Sequence, residues 1–130
     1  MAYAEKKQMV EIRYLKSEAG LDNCFDLLFG PIWYYLPDSY KDIRPDCPEY
    51  IYFTWLFKKY NLISGAPEGK EVIWTIHWEC SIKGMPFAML YDRDYDMISF
   101  AVDEEHLSLK EPIAEELKRI IEEEYKRTQR

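Results

Sequence analysis

The sequence predicts an α+β fold in which an antiparallel sheet of three or four strands packs against helices. Between residues 71 and 103, apolar and polar residues alternate along consecutive segments, as they do in a β-meander with one buried face. On either side of this stretch, apolar residues recur every three or four positions, which is typical of amphipathic helices. A length of 130 residues suits one domain, so we expect a single domain over residues 1–130.

The meander is predicted to contain three strands joined by short turns, at residues 71–80, 85–92 and 95–103. The side chains expected to face the main core from the first strand are Val72, Trp74, Ile76, Trp78 and Cys80. Residues 10–15 alternate in the same way and predict a fourth strand, although a helix over residues 5–15 is the alternative.

Helices are predicted at about residues 22–30, 47–60 and 109–127. The first has one apolar stripe and should end at Pro31, which lacks the backbone donor that a helix needs. The stripe consists of Leu21, Phe25, Leu28, Phe29 and Ile32. The third has an apolar inner face and acidic residues on its outer face.

Two capping boxes support the starts of the later helices. Asp46 and Glu49 match one before the second helix, and Ser108 and Glu111 match another before the third. Because residues 50–57 are mostly good strand formers, a strand is the alternative for the second helix.

The charge balance and the cysteines exclude several classes of protein. With 17 basic and 24 acidic residues the chain has a net charge of −7, which disfavours nucleic acids and anionic membranes, since both attract Lys and Arg clusters. The sequence has no apolar run that could span a bilayer and no pattern of a signal peptide. Three cysteines without close spacing indicate reduced thiols, so we expect a cytoplasmic protein.

The usual motifs of metal and cofactor sites are absent from the sequence. His77 and Cys80 lie three positions apart in a predicted strand, so they point to opposite faces and cannot share an ion. The acidic residues at positions 92, 94 and 96 match the first half of a calcium loop, but Met97 stands where that loop requires glycine. A hairpin turn explains them better, so we predict no metal, no cofactor and no catalytic residue.

The second face of the meander raises the question of what covers it. Its side chains are too apolar for open water and too small to form a core alone. We expect the carboxy-terminal helix to cover it, with a second subunit or a ligand as the alternatives. If a ligand binds there, the candidate residues are Thr75, His77 and Ser99, because His77 is a titratable ring on that face.

Aromatic residues crowd the stretch between residues 33 and 60. Tyrosine and tryptophan bury much area at little entropic cost, so this region is a candidate protein-interaction surface, with core packing as the competing explanation. The candidate residues are Trp33, Tyr34, Tyr35, Tyr40 and Trp55.

These features favour a non-catalytic cytoplasmic protein-interaction domain. It would bind a protein partner, or a second copy of itself, through the aromatic region of residues 33–60, in an inhibitor, immunity-type or adaptor role. The alternative is a small-molecule binding domain, or a modest enzyme, that uses the sheet face around His77.

Overall fold

The computed structural model describes residues 10–14, 23–29, 35–36, 47–66, 68–72 and 75–128. These residues form six strands: β1 (Val10–Tyr14), β2 (Cys24–Phe29), β3 (Lys70–Val72), β4 (Thr75–Ile82), β5 (Met85–Asp92) and β6 (Met97–Ala101). The helices are α1 (Pro48–Lys59) and α2 (Lys110–Thr128), and a 3-10 helix (Glu104–Leu109) precedes α2. The α+β class is confirmed, but the sheet has six antiparallel strands rather than three or four.

The strands form one sheet in the order β1-β2-β6-β5-β4-β3. The meander β4-β5-β6 occupies its centre, and β2 pairs with β6, so the β1-β2 hairpin extends the sheet on that side. On the other side, β3 pairs with the first half of β4, while Ser64 and Gly65 donate backbone hydrogen bonds of 2.7 and 3.1 Å to the Glu79 carbonyl. The amino-terminal strand predicted at residues 10–15 is confirmed as β1, Val10–Tyr14.

The helix predicted at about residues 22–30 is wrong, since Cys24–Phe29 forms strand β2. The same residues alternate as well as they follow a helical stripe, and a six-residue segment cannot decide between the two periods. Tertiary pairing decides: Phe25 is opposite Tyr14 of β1 and Phe100 of β6. As a central strand, β2 has hydrogen-bonded neighbours on both sides.

The first predicted strand of the meander is two strands, Lys70–Val72 and Thr75–Ile82. Val72 pairs directly with Thr75, and opposite residues of an antiparallel pair share a face. Val72 is therefore on the same face as Thr75 and is 41% exposed, contrary to the predicted place in the core. Residues 73 and 74, and with them the predicted core residue Trp74, lie outside the described residues.

The helix predicted at residues 47–60 is confirmed as α1, but the capping box before it is wrong. The N-cap residue is Cys47, which makes no side-chain capping hydrogen bond, and Asp46 lies outside the described residues. Glu49 instead accepts a 2.8 Å hydrogen bond from the backbone N–H of Ile98 in β6. The cap comes from Asp96 in the β5-β6 turn, whose carboxylate accepts hydrogen bonds from two backbone N–H groups of the first turn of α1.

Both helices pack on one face of the sheet and share one core with it. The rings of Phe53 and Phe57 in α1 lie 5.6 and 6.0 Å from the ring of Phe100 in β6. α2 packs on β1 and β2, and its fully buried Leu117 and Ile121 belong to the same core. The expectation that the carboxy-terminal helix covers the second face is therefore wrong, because the added β1-β2 hairpin gives that helix a surface beside α1.

Among the residues that the structure describes, no helix has both the length and the apolar character needed to cross a membrane.

Candidate functional site

The sheet face opposite the helices, called the open face from here on, is the candidate site. None of the described helices packs on it. At its centre Ala88, Leu90, Ser99 and Ala101 are only partly buried, while Met97 is 50% and Leu28 is 39% exposed. Apolar area of this kind on a sheet stands out, because a strand face without a cover is normally polar.

The structure places all three predicted ligand-binding residues on the open face. His77 pairs with Leu90, and Leu90 pairs with Ser99, so His77 and Ser99 lie in one row across three strands with Leu90 between them. Thr75 is two positions before His77 on β4, and its hydroxyl donates a 3.2 Å hydrogen bond to the Val72 carbonyl. The three side chains share a face but do not converge on one point.

A cleft of about 550 Å³ opens at one end of the open face. Ala88 and Ala101 are directly paired on β5 and β6, and their small side chains leave a depression between larger neighbours. The residues that line the cleft are Asn23, Ser64, His77, Glu79, Cys80, Pro86, Phe87, Ala88, Ala101, Val102 and Asp103. Of the predicted ligand-binding residues, His77 is in this lining, whereas Thr75 and Ser99 are not.

Two carboxylates line the cleft, and sequence reasoning missed both as site residues. Glu79 and Asp103 are exposed, and within the described ranges neither forms an ion pair with a lysine or an arginine. No lysine or arginine is part of the described lining. The sequence gives little indication that these two residues belong to a site. Glu79 alternates with core residues as any solvent-facing strand residue does, and Asp103 is at the end of a predicted strand.

A group of metal-ligand side chains adjoins the cleft at Asp103. One donor atom each from Asp103, Glu105 and His106 lies within 4.8 Å of the other two, a spacing set by the 3-10 helix that begins at Glu104. The Nδ1 atom of His106 is 3.8 Å from Asp103 Oδ2 and has no hydrogen-bond partner among the described residues. Both acidic residues are exposed, so the arrangement is a loose set of potential ligands rather than an enclosed coordination site.

The two aromatic candidates that the structure describes do not lie on the open face. Tyr35 is 4% exposed, and its ring packs 4.5 Å from that of Tyr125 and 6.1 Å from that of Tyr52, so it belongs to the core. Trp55 is half-buried on α1, with the ammonium group of Lys59 5.2 Å above its ring. The other three candidates, Trp33, Tyr34 and Tyr40, lie outside the described residues.

A second cluster of ionisable groups joins α1 to the sheet. Asp96 accepts hydrogen bonds from the backbone N–H groups of Glu49 and Tyr50 and, at 2.9 Å, from the hydroxyl of Tyr91. Burial raises the pKa of Glu49 to about 6, the charges of Asp96 and Asp26 add to the increase, and the hydrogen bond from Ile98 opposes it. Since backbone donors occupy both carboxylates, this cluster holds the fold together rather than facing a ligand.

The raised pKa of Glu49 predicts how stability depends on pH. The folded state binds this proton more tightly than the unfolded chain, whose ordinary pKa is 4.5, so the contribution of Glu49 to stability falls as pH rises through about 6. After solvent screening of this partly exposed group, we expect a loss of about 1 kcal/mol between pH 4.5 and 6.5. Glu49→Gln, which resembles the protonated acid, should remove this loss in urea denaturation at the two pH values.

The matched control for Glu49→Gln is Glu68→Gln, at an exposed position that is not part of α1. It should keep the pH dependence of the unaltered protein. If Glu49→Gln keeps it as well, Glu49 is not the group responsible.

Comparison with known proteins finds no match for this chain among family models, curated proteins or solved structures.

Proposed function

We propose that this chain is a non-catalytic binding domain whose open face holds a protein partner with a basic surface, in an inhibitor, immunity-type or adaptor role. The observation that carries the proposal is the placement of both helices on one face of the sheet. The opposite face keeps a partly apolar surface that packing within the described chain does not use. A surface of this kind, when polar residues surround it, is characteristic of protein-interaction sites.

The charges around the open face favour a basic partner. Register places five acidic residues on it or at its rim, namely Glu11, Asp26, Glu79, Asp92 and Asp103. The described strands place two basic residues on this face: Arg13 is paired with the buried Asp26 at 2.6 Å, which leaves Lys70. Complementary charge would speed association and select against acidic partners.

The same charges argue against a second copy of the chain as the occupant. Two open faces brought together would place acidic residues against acidic residues in a protein with a net charge of −7. Like charges across an interface are costly, so a different partner fits this surface better than self-association does.

The cysteines support a binding role in the cytoplasm. Cys24 and Cys80 have free, buried thiols, which suits a reducing compartment. Burial raises the pKa of Cys80 to about 12, so its thiol stays protonated at neutral pH although it lies beside the cleft. A buried, protonated thiol is a poor nucleophile, which favours binding over covalent catalysis.

Selection from a random peptide library displayed on phage tests this proposal. We expect the selected peptides to combine Lys or Arg with apolar residues and to bind more weakly at higher salt. The double variant Leu28→Lys/Met97→Lys makes the open face less apolar and more basic. It should therefore lower the affinity for a selected peptide at least about tenfold. Both positions are already well exposed, so the fold should tolerate the changes.

The matched control is Leu107→Lys, which makes the same change at a residue that is 42% exposed on the 3-10 helix, outside the strands and the cleft lining. It should bind the selected peptides normally. The proposal is overturned if the library yields no binders, if the binders lack basic residues, or if Trp55→Ala abolishes binding while the double variant does not. That last result would place the interaction on the aromatic region instead.

A further inference from the structure

The shape of the cleft on the open face suits a small ligand. Its volume of about 550 Å³ is within the range of known ligand sites, and Ala88 and Ala101 provide an apolar floor. Glu79 is held at its wall by the neighbouring segment, whose Ser64 and Gly65 donate hydrogen bonds to the Glu79 carbonyl. A Cβ atom on Gly65 would lie 3.1 Å from Glu79 Cβ, so the glycine allows this close approach.

The polar groups of the cleft select the charge of that ligand. The carboxylates of Glu79 and Asp103 line it together with the hydroxyl-bearing Ser64 and the ring of His77. Neither carboxylate is neutralised by a lysine or arginine within the described part of the chain. Glu104 and Glu105, both exposed, follow Asp103 directly and add negative charge outside the opening. An anion would be repelled here, whereas a cation would gain charge-assisted hydrogen bonds.

We propose that this cleft binds an organic cation, in which an ammonium or guanidinium group contacts Glu79 and Asp103 and a short apolar body lies on Ala88 and Ala101. This site lies at one end of the open face, and the observations that carry it are the cleft and two carboxylates that no described lysine or arginine neutralises. The cation can be a free amine or the lysine or arginine side chain of a partner, since the recognition chemistry is the same.

Titration of the ¹⁵N-labelled full chain with phenethylamine, followed by NMR, tests the proposal. We expect saturable shifts of the Ala88 and Ala101 amide signals. The neutral 2-phenylethanol and the anionic phenylacetate have similar bodies and should cause no saturable shift. Glu79→Gln and Asp103→Asn should each weaken the binding of phenethylamine at least about fivefold, as expected for the loss of one charge-assisted hydrogen bond at a partly exposed site.

The control variant is Asp94→Asn, which removes an exposed carboxylate in the β5-β6 turn, outside the cleft. It should bind phenethylamine within about twofold of the unaltered protein. A parallel titration with N-acetyl-lysine amide distinguishes the two sources of the cation. Tighter binding of this probe than of phenethylamine assigns the site to a partner's lysine, and the reverse order assigns it to a free amine.

Three outcomes overturn the cation site: equal binding of 2-phenylethanol, no saturable shift at Ala88 and Ala101, or a response to zinc chloride at His106 without any response to amines. The last would assign the carboxylate of Asp103 to the metal-ligand group with Glu105 and His106. Because the probes are small molecules, the cation site can be confirmed even if the peptide selection fails. Conversely, if no amine binds, a selected peptide can still bind elsewhere on the open face.

Discussion

Replacing Asp96 with alanine is expected to lower the free energy of unfolding by about 2 to 4 kcal/mol, the sum of a lost helix cap and an unpaired buried hydroxyl. The Asp96 carboxylate accepts hydrogen bonds of 3.1 and 3.3 Å from the backbone N–H groups of Glu49 and Tyr50. The N-cap residue, Cys47, makes no side-chain capping hydrogen bond. It also accepts a hydrogen bond from the hydroxyl of Tyr91, a residue that is only 5% exposed. Urea denaturation at pH 7 measures the change.

Two further substitutions isolate the role of the Asp96 carboxylate. Asp94→Ala changes an exposed residue of the same turn and should alter stability by less than about 0.5 kcal/mol. Asp96→Asn keeps one accepting oxygen and tolerates the positive φ of 51° at this position, so its cost should fall between those of the two alanine variants. Equal effects of Asp96→Ala and Asp94→Ala would show that Asp96 does not cap α1.

Gly69→Ala is expected to destabilise the protein by about 2 to 3 kcal/mol through overpacking and backbone strain. Gly69 has a φ of +78°, and a Cβ atom there would lie 2.7 Å from Ile76 Cγ2 and 2.7 Å from Trp78 Cε2. The Trp78 ring is 1% exposed and cannot withdraw without disturbing the core. Thermal or urea unfolding of the variant measures the loss.

Gly84→Ala is the matched control for this prediction. Gly84 has the same φ of +78°, in the two-residue turn between β4 and β5, but a Cβ atom there would have nothing within 4 Å. It therefore reports the backbone strain alone, which we expect to cost about 1 kcal/mol. If both variants lose the same stability, the contact with Ile76 and Trp78 contributes nothing.

The sequence pattern predicted β5, α1 and α2 correctly, although residues 50–57 had left a strand as the alternative for α1. β5 was predicted with its observed bounds, and α1 and α2 were predicted to within two residues at either end. β2 was not, because its six residues satisfy both a helical and a strand period. The pairing of Phe25 with Tyr14 and Phe100 decided for the strand, and those partners come from opposite ends of the chain.

The cap of α1 was likewise decided by tertiary structure and not by the local sequence. Asp46 and Glu49 formed a convincing local capping box, yet Glu49 accepts a hydrogen bond from Ile98 and the cap is Asp96 in the β5-β6 turn. The acidic turn from Asp92 to Asp96 was identified correctly as a turn, in which the Asp92 side chain accepts the Asp94 N–H at 2.9 Å. A residue so distant in sequence cannot be recognised as a helix cap before the sheet places it beside the helix.

The sequence by itself determined that Thr75 and His77 share one face of a strand while Trp78 and Cys80 point to the other, because side chains of a strand alternate by covalent geometry. It also determined the acidic charge and the apolar character of the helix stripes. Tertiary structure alone decided that both helices lie on the Trp78 side and that Ala88 meets Ala101 in a cleft lined by Glu79 and Asp103. These outcomes depend on strand order and register, which are set by pairings between segments far apart in the chain.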